Sequence, residues 1–210
     1  VTPTVDADPV RILAICTANV CRSPAIELLL RTAMARAGVP ADDVVVSSAG
    51  ADARDGSTRC ARSRRLLATH VEDDEATWTA RSHRLTVDDL HAADLVLTAS
   101  REHRASIARL LPAARSHTFT LRQAARAAGE IAGGELPSVV PLPPAGDVRG
   151  RLRWLVAELD AVRGPVGDPL DDDVPDPHVV GDAEHEPAMA LMAAAVADLA
   201  ALVRLVLAHP

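Results

Sequence analysis

The chain has 210 residues, 48% of them hydrophobic, and a formal net charge of −7 from 22 cationic residues, all arginine, against 29 acids. That length buries a full core as one domain, and the acidic balance argues against general nucleic-acid binding. Three cysteines, an odd number, argue against a disulfide framework and for a reducing, cytoplasmic compartment.

Residues 1–9 lack the basic and apolar regions of a signal peptide and read as a disordered arm ahead of a single domain at 10–208. No uninterrupted apolar run approaches the ~20 residues of a membrane span. Residues 10–16, Val-Arg-Ile-Leu-Ala-Ile-Cys, predict a strand. The stretch from Cys16 to Arg22 is too short for anything but a tight loop. The backbone N–H groups of Cys16, Thr17, Ala18, Asn19, Val20, Cys21 and Arg22 can then converge on one anion, with Asn19 suited to a left-handed turn. Ser23 is expected as the N-cap of a helix over 23–38 and Pro24 in its first turn, so the helix aims its positive end at the same anion.

These residue types select a chemistry. A thiol ionises near ~8.5 but falls several units at a helix N-terminus beside a cation, which makes Cys16 a thiolate at neutral pH. Arg22 offers a planar fork that holds two phosphoryl oxygens and keeps its charge. Together they bind a phosphomonoester and attack it.

Farther along, strands are predicted at 43–48, 94–98 and 116–119, and helices at 59–69, 86–92, 101–110 and 120–130. This alternation predicts an α/β fold, a doubly wound four-stranded parallel sheet with helices on both faces and the phosphate-binding loop after its first strand. Arg59, Arg62, Arg64 and Arg65 read as a solvated helix face, with Cys60 inert among them. The cysteines and scattered histidines lack zinc-ligand spacing, so no metal is expected. Gly129–Asp172 reads as an insertion, a proline-rich loop with Pro137, Pro141, Pro143 and Pro144, then a helix over 148–162 that either covers the mouth of the site or pads the core from outside. A last helix over 187–208 is apolar enough to be largely buried or to seat a second copy in a homodimer. Trp78 is expected in the core.

The loop Cys16-Thr-Ala-Asn19-Val-Cys21-Arg22-Ser23-Pro24 resembles that of the low-molecular-weight protein tyrosine phosphatases, Cys-x-x-Asn-x-Cys-Arg-Ser-Pro, at each fixed position. The resemblance continues through Ser47-Ser48-Ala49-Gly50, Ala80–Leu85, Ala93–Thr98 and Asp173-Val-Pro-Asp176-Pro177, about 160 residues in all. It implies a phosphocysteine mechanism without cofactor, in which Asp176 protonates the leaving group and then takes a proton from water. Asp171, Asp172 and Asp173 are expected to raise the proton affinity of Asp176 by like charge. Ser23 would stabilise the departing thiolate or only cap the helix. Cys21 would form a reversible disulfide with Cys16 or fill space as a small hydrophobe.

Departures from the family bear on the substrate, which is either a phosphorylated protein (phosphotyrosine) or a small phosphomonoester. The family's cleft aromatics are replaced by Ala51-Asp52-Ala53 and by His178, which contacts the leaving group or sits exposed. Ala99-Ser100 replaces a Met-Asp pair, which predicts a missing support for the loop. Two alternatives stay open: an arsenate reductase-like protein, although no cysteine follows Cys60 to relay a disulfide, and a catalytically silent phosphate-binding module.

Overall fold

The computed structural model describes residues 8–68, 70–71, 75–134, 141–164 and 167–210; most of the expected N-terminal arm and Pro137 lie outside them. In chain order its elements are β1 (Val10–Cys16), α1 (Arg22–Arg36), β2 (Val44–Gly50), α2 (Ala61–Leu67), α3 (Glu75–Thr79), α4 (Val87–Ala92), β3 (Leu95–Thr98) and α5 (Arg101–Leu110). A 3₁₀ turn at Pro112–His117 leads to β4 (Thr118–Thr120), α6 (Leu121–Gly133), α7 (Val148–Ala161), α8 (Pro177–Val180) and α9 (His185–Ala208).

The strands form one parallel sheet in the order β2-β1-β3-β4. Alternation along β1 sets the layers, because successive side chains leave a strand on opposite faces. Val10, Ile12 and Ala14 join Ile26, Leu30, Leu121, Leu155, Met192 and Leu199 in the larger core, beneath α1, α6, α7 and α9. Leu13 and Ile15 pack with Leu90, Ile107 and Ala114 on the other face, beneath α4 and α5. Trp78 is buried in the larger core, as expected.

Several boundaries differ from the sequence reading. β4 starts at Thr118 because the preceding residues coil behind Pro112, and the arginine-rich helix is confined to Ala61–Leu67. Helices α3 and α8, of five and four residues, are too short for a periodic pattern to betray.

Helix α7 of the expected insertion lies along the edge of the sheet where the strands begin. Arg149 pairs with Asp43 at 2.7 Å and Arg153 with Asp94 at 3.1 Å, the residues just ahead of β2 and β3. Trp154, Leu155 and Leu159 are buried beneath it. It therefore pads the core at the edge opposite the loop and does not cover the mouth. The segment Asp182–Ala208 is long and apolar enough to cross a membrane, a length the count of uninterrupted apolar residues missed. In this fold α9 packs one face, with Met189, Met192, Val196, Leu199 and Val203, against α1, α6 and α7 in the larger core.

Candidate active site

Parallel pairing sets Cys16, the last residue of β1, beside Gly50, the last of β2. Beyond Cys16 the carbonyls of Cys16, Thr17 and Val20 accept the N–H groups of Ala51, Asp52 and Cys60 at 2.8, 2.9 and 2.8 Å, and that of Cys21 accepts from Ala25 at 3.3 Å. In a planar trans peptide the following N–H points opposite to the carbonyl. The N–H groups of Thr17, Ala18, Cys21 and Arg22 are thus turned away from those outer partners and toward the inside of the loop.

Asn19 makes the turn with φ +53°, the single non-glycine residue at positive φ among the described residues. Its fully buried amide donates to Ser23 Oγ at 3.0 Å and Ser48 Oγ at 2.8 Å, and its Oδ1 accepts the His83 N–H at 3.0 Å. Gly50 is required by close approach: a Cβ there would lie 2.7 Å from the Thr17 carbonyl oxygen and 2.8 Å from the Ala18 carbonyl carbon.

Cys16 is buried with its Sγ 3.1 Å from Ser23 Oγ. Ser23 is not the N-cap. Helix α1 opens one residue earlier, with Cys21 in the cap position and no side-chain cap bond, so Ser23 sits inside the first turn. Its hydroxyl also lies 3.1 Å from the Ala49 carbonyl and faces the nucleophile.

Arg22 is buried beside Cys21 and reaches across to the far segment. Its Nη1 donates to the Val174 carbonyl at 3.0 Å, and its Nη2 ion-pairs with Asp176 Oδ2 and donates to Thr17 Oγ1 at 3.2 Å. Asp176 is held as the N-cap of α8, its Oδ1 accepting the His178 N–H at 3.1 Å, with Pro177 in the first turn. Residues 154 apart in sequence thereby meet over one loop.

Of the three acidic residues upstream of Asp176, Asp172 and Asp173 are ion-paired. Asp172 pairs with Arg126 at 3.2 Å, and Asp173 takes both the Arg101 N–H at 2.7 Å and its guanidinium at 3.2 Å. Their charge is matched by arginines, and they anchor the segment instead of crowding Asp176.

The support expected to be missing at Ala99-Ser100 is supplied by another route. Ser100 Oγ lies 2.8 Å from His103 Nδ1, and His103 Nε2 lies 3.0 Å from Thr17 Oγ1, which in turn accepts from Arg22. Burial and the neighbouring Arg22 charge push the His103 pKa down to about 4, so a neutral imidazole braces the loop.

Behind the loop, buried Glu27 accepts the Ser48 hydroxyl at 2.6 Å and pairs with Arg31 at 2.7 Å and Arg59 at 3.4 Å. Arg59 is 8% exposed and belongs to this network, not to a solvated face; burial lowers its pKa. Cys60 lies beside this network, its Sγ 3.8 Å from His185 Nε2. A shared hydrogen bond and burial push the Cys21 thiol up, and the same bond pulls Cys60 down to about 3. Neither His103 nor the Glu27–Arg59 pair was found from sequence, because the partners of each lie on separate elements and match no spacing rule.

A buried cysteine at the end of a central parallel strand, under inward N–H groups and an arginine that touches a carboxylate, defines a phosphate pocket with a nucleophilic floor. The class of protein is a cysteine-dependent phosphatase. The sequence model of the family described as low molecular weight phosphotyrosine protein phosphatase matches residues 11–133, and the chain belongs to that family. A protein-arginine-phosphatase of Geobacillus stearothermophilus is 33% identical over 115 residues, covering 55% of this chain and 71% of the relative. Among solved structures, the YwlE arginine phosphatase from Geobacillus stearothermophilus is similar with TM-score 0.58 and 24% identity over 92% of each chain. The low molecular weight protein tyrosine phosphatase from T. tengcongensis is similar with TM-score 0.60 and 22% identity over 90% of this chain and 97% of its own.

Proposed function

We propose that the protein hydrolyses phosphorylated protein side chains through a phosphocysteine intermediate. The observation that carries this reading is the meeting of Cys16, Ser23, Arg22 and Asp176 about one loop. The Cys16 thiolate attacks phosphorus, forming the S–P bond as the bond to the leaving atom breaks. Asp176 gives its proton to that atom. Water then attacks phosphorus and loses a proton to Asp176, the S–P bond breaks, and the Ser23 hydroxyl donates to the returning thiolate. Arg22 and the loop N–H groups hold the equatorial oxygens throughout. A dianion in the loop takes over the Arg22 fork and releases the Asp176 carboxyl for this proton traffic. A silent binding module has no use for an acid and a nucleophile so arranged.

The leaving group is the open variable. Ala51-Asp52-Ala53 and His178 stand where the family has aromatic walls, and the His178 ring leans edge-on against His185 at 5.0 Å. A mouth walled by Ala51, Asp52, Ala53 and His178 in place of phenyl or indole rings suits a guanidinium leaving group, like that handled by the protein-arginine-phosphatase relative, at least as well as a phenol.

Hydrolysis of p-nitrophenyl phosphate tests the chemistry. Cys16→Ser is expected to abolish turnover while still binding phosphate, and Asp176→Ala to lower kcat by about 10²–10⁴. Absence of turnover by the wild type between pH 5 and 8 would refute it. Phosphoarginine and phosphotyrosine peptides, compared by kcat/KM, then assign the substrate.

A further inference from the structure

One cluster is left unused by this chemistry. Cys21, Cys60, His178 and His185 each offer one ligand atom, and the four atoms lie within 4.8 Å of one another. We propose that Cys21, Cys60, His178 and His185 form a tetrahedral zinc site that fastens the general-acid segment to the phosphate loop.

The donor set fits a soft, tetrahedral divalent ion. Two thiolates and two imidazoles are a frequent structural zinc set, and their two negative charges neutralise the ion in a site that is half withdrawn from water. Zinc–sulfur bonds of ~2.3 Å and zinc–nitrogen bonds of ~2.0 Å place tetrahedral donors about 3.3–3.8 Å apart. Cys60 Sγ and His185 Nε2 already stand 3.8 Å apart. The widest pair must close by at most about 1–1.5 Å to reach that geometry, and His178 is the exposed member with room to move.

The surroundings are prepared as well. His185 is 1% exposed, and its Nδ1 lies 3.2 Å from the Asp182 carbonyl. A carbonyl can only accept, so Nδ1 carries the proton and Nε2 presents its lone pair to the cluster, which is how outer hydrogen bonds orient a metal-binding histidine. Ser63 Oγ lies 2.9 Å from Cys21 Sγ and can donate to a bound thiolate. Entry is open, since His178 is exposed and Cys60 partly so. No spacing motif reveals the site, because its ligands come from the phosphate loop, the residue capping α2, α8 and the start of α9.

Position gives the site its consequence. Cys21 adjoins Arg22, and His178 lies two residues beyond Asp176, so one ion fixes the acid relative to the loop that holds the phosphate. Two S–Zn bonds form as the proton shared by Cys21 and Cys60 is released. While Cys21 is a ligand it is also withheld from any disulfide with Cys16.

The test uses the full chain carrying Cys16→Ser, reduced and stripped with a chelator, so that the nucleophile cannot bind the ion. Co(II) and then Zn(II) serve as probes. One equivalent of Co(II) is expected to bind with the intense visible bands of a tetrahedral ion and a near-ultraviolet sulfur-to-cobalt band, and Zn(II) to displace it and raise Tm. In the same background Cys60→Ser is expected to weaken binding by at least about 100-fold and to halve the sulfur-to-cobalt band. His178→Ala, which removes an exposed ring, is expected to weaken binding at least about tenfold, and it keeps the test available should Cys60→Ser fold poorly. Failure to saturate at one equivalent, a weak octahedral cobalt spectrum, or variants that bind as tightly as their parent would each overturn the proposal. None of these readouts depends on turnover.

Discussion

His103 shows how one side chain carries both stability and function. It is 6% exposed, bridges Ser100 to Thr17, and is held neutral by burial beside Arg22. Its pKa is about 4 in the fold against 6.5 for the free group. Above pH 6.5 neither folded nor unfolded chain protonates it, and its contribution to stability is complete. Between about 6.5 and about 4 the unfolded chain takes a proton that the folded chain refuses, so stability falls with acid at up to ~1.4 kcal/mol per pH unit. Urea unfolding of wild type and His103→Gln at pH 7 and pH 4.5 checks this: the wild type should lose distinctly more over that interval, and parallel losses would assign the acid sensitivity elsewhere. Sequence patterning at this scale exposed Cys16 and Arg22, the residues proposed to meet the anion, because they lie within one short loop. It did not expose those that brace them. His103, Glu27, Ser48 and Arg59 acquire their roles only when separate elements pack, and a buried arginine has the same one-letter code as a solvated one.

Among the elements, the junction of β2 with the loop is the least forgiving. The strand ends at Gly50 because the chain of the loop crosses where any Cβ would stand, with Thr17 and Ala18 main-chain atoms under 3 Å away. Main chain cannot rotate aside like the end of a side chain. Gly50→Ala is therefore expected to displace the loop, lowering kcat/KM on p-nitrophenyl phosphate by at least about tenfold and stability by ~1–3 kcal/mol. Ala51→Gly, one residue on, is a suitable control, and equal effects of the two would show that the crowding is relieved cheaply. The regular elements were legible because apolar runs and helical periods alternate cleanly from Val10 to Ile131. The cap of α1 was misassigned by two residues, Ser23 for Cys21, because Ser23 satisfies the statistics of a cap, while in the fold its hydroxyl faces Cys16. Helix α8 was invisible for lack of length, yet its cap is the residue proposed as the acid.

Across the whole molecule, α9 joins the two ends of the sheet. It starts at His185, next to the phosphate loop, and its 24 residues extend ~36 Å to the edge where α7 lies. There Arg151 of α7, 1% exposed, donates to the carbonyls of Val206, Leu207 and His209 at 2.7, 3.3 and 2.7 Å, and to those of Pro143 and Pro144 at 2.9 and 3.1 Å. A guanidinium thus terminates the last turn of α9, where carbonyls lack helical partners and the dipole favours a cation. Each of these contacts is to neutral main chain, so among the described residues the cost of burying the charge is met by five carbonyl acceptors and not by a counter-ion. Arg151→Met keeps the apolar stem and removes the Nε and Nη1 donors, leaving the buried Val206 carbonyl and its part-buried neighbours without this partner. The expected loss is at least about 3 kcal/mol in urea unfolding, against about 1 kcal/mol or less for Arg153→Met, whose pair with Asp94 is partly solvated. Because Arg151 lies at the edge remote from Cys16, the folded variant should retain its kcat at low temperature. A kcat that falls in proportion to the loss of stability would instead mean that α9 transmits the disturbance along its length to the loop.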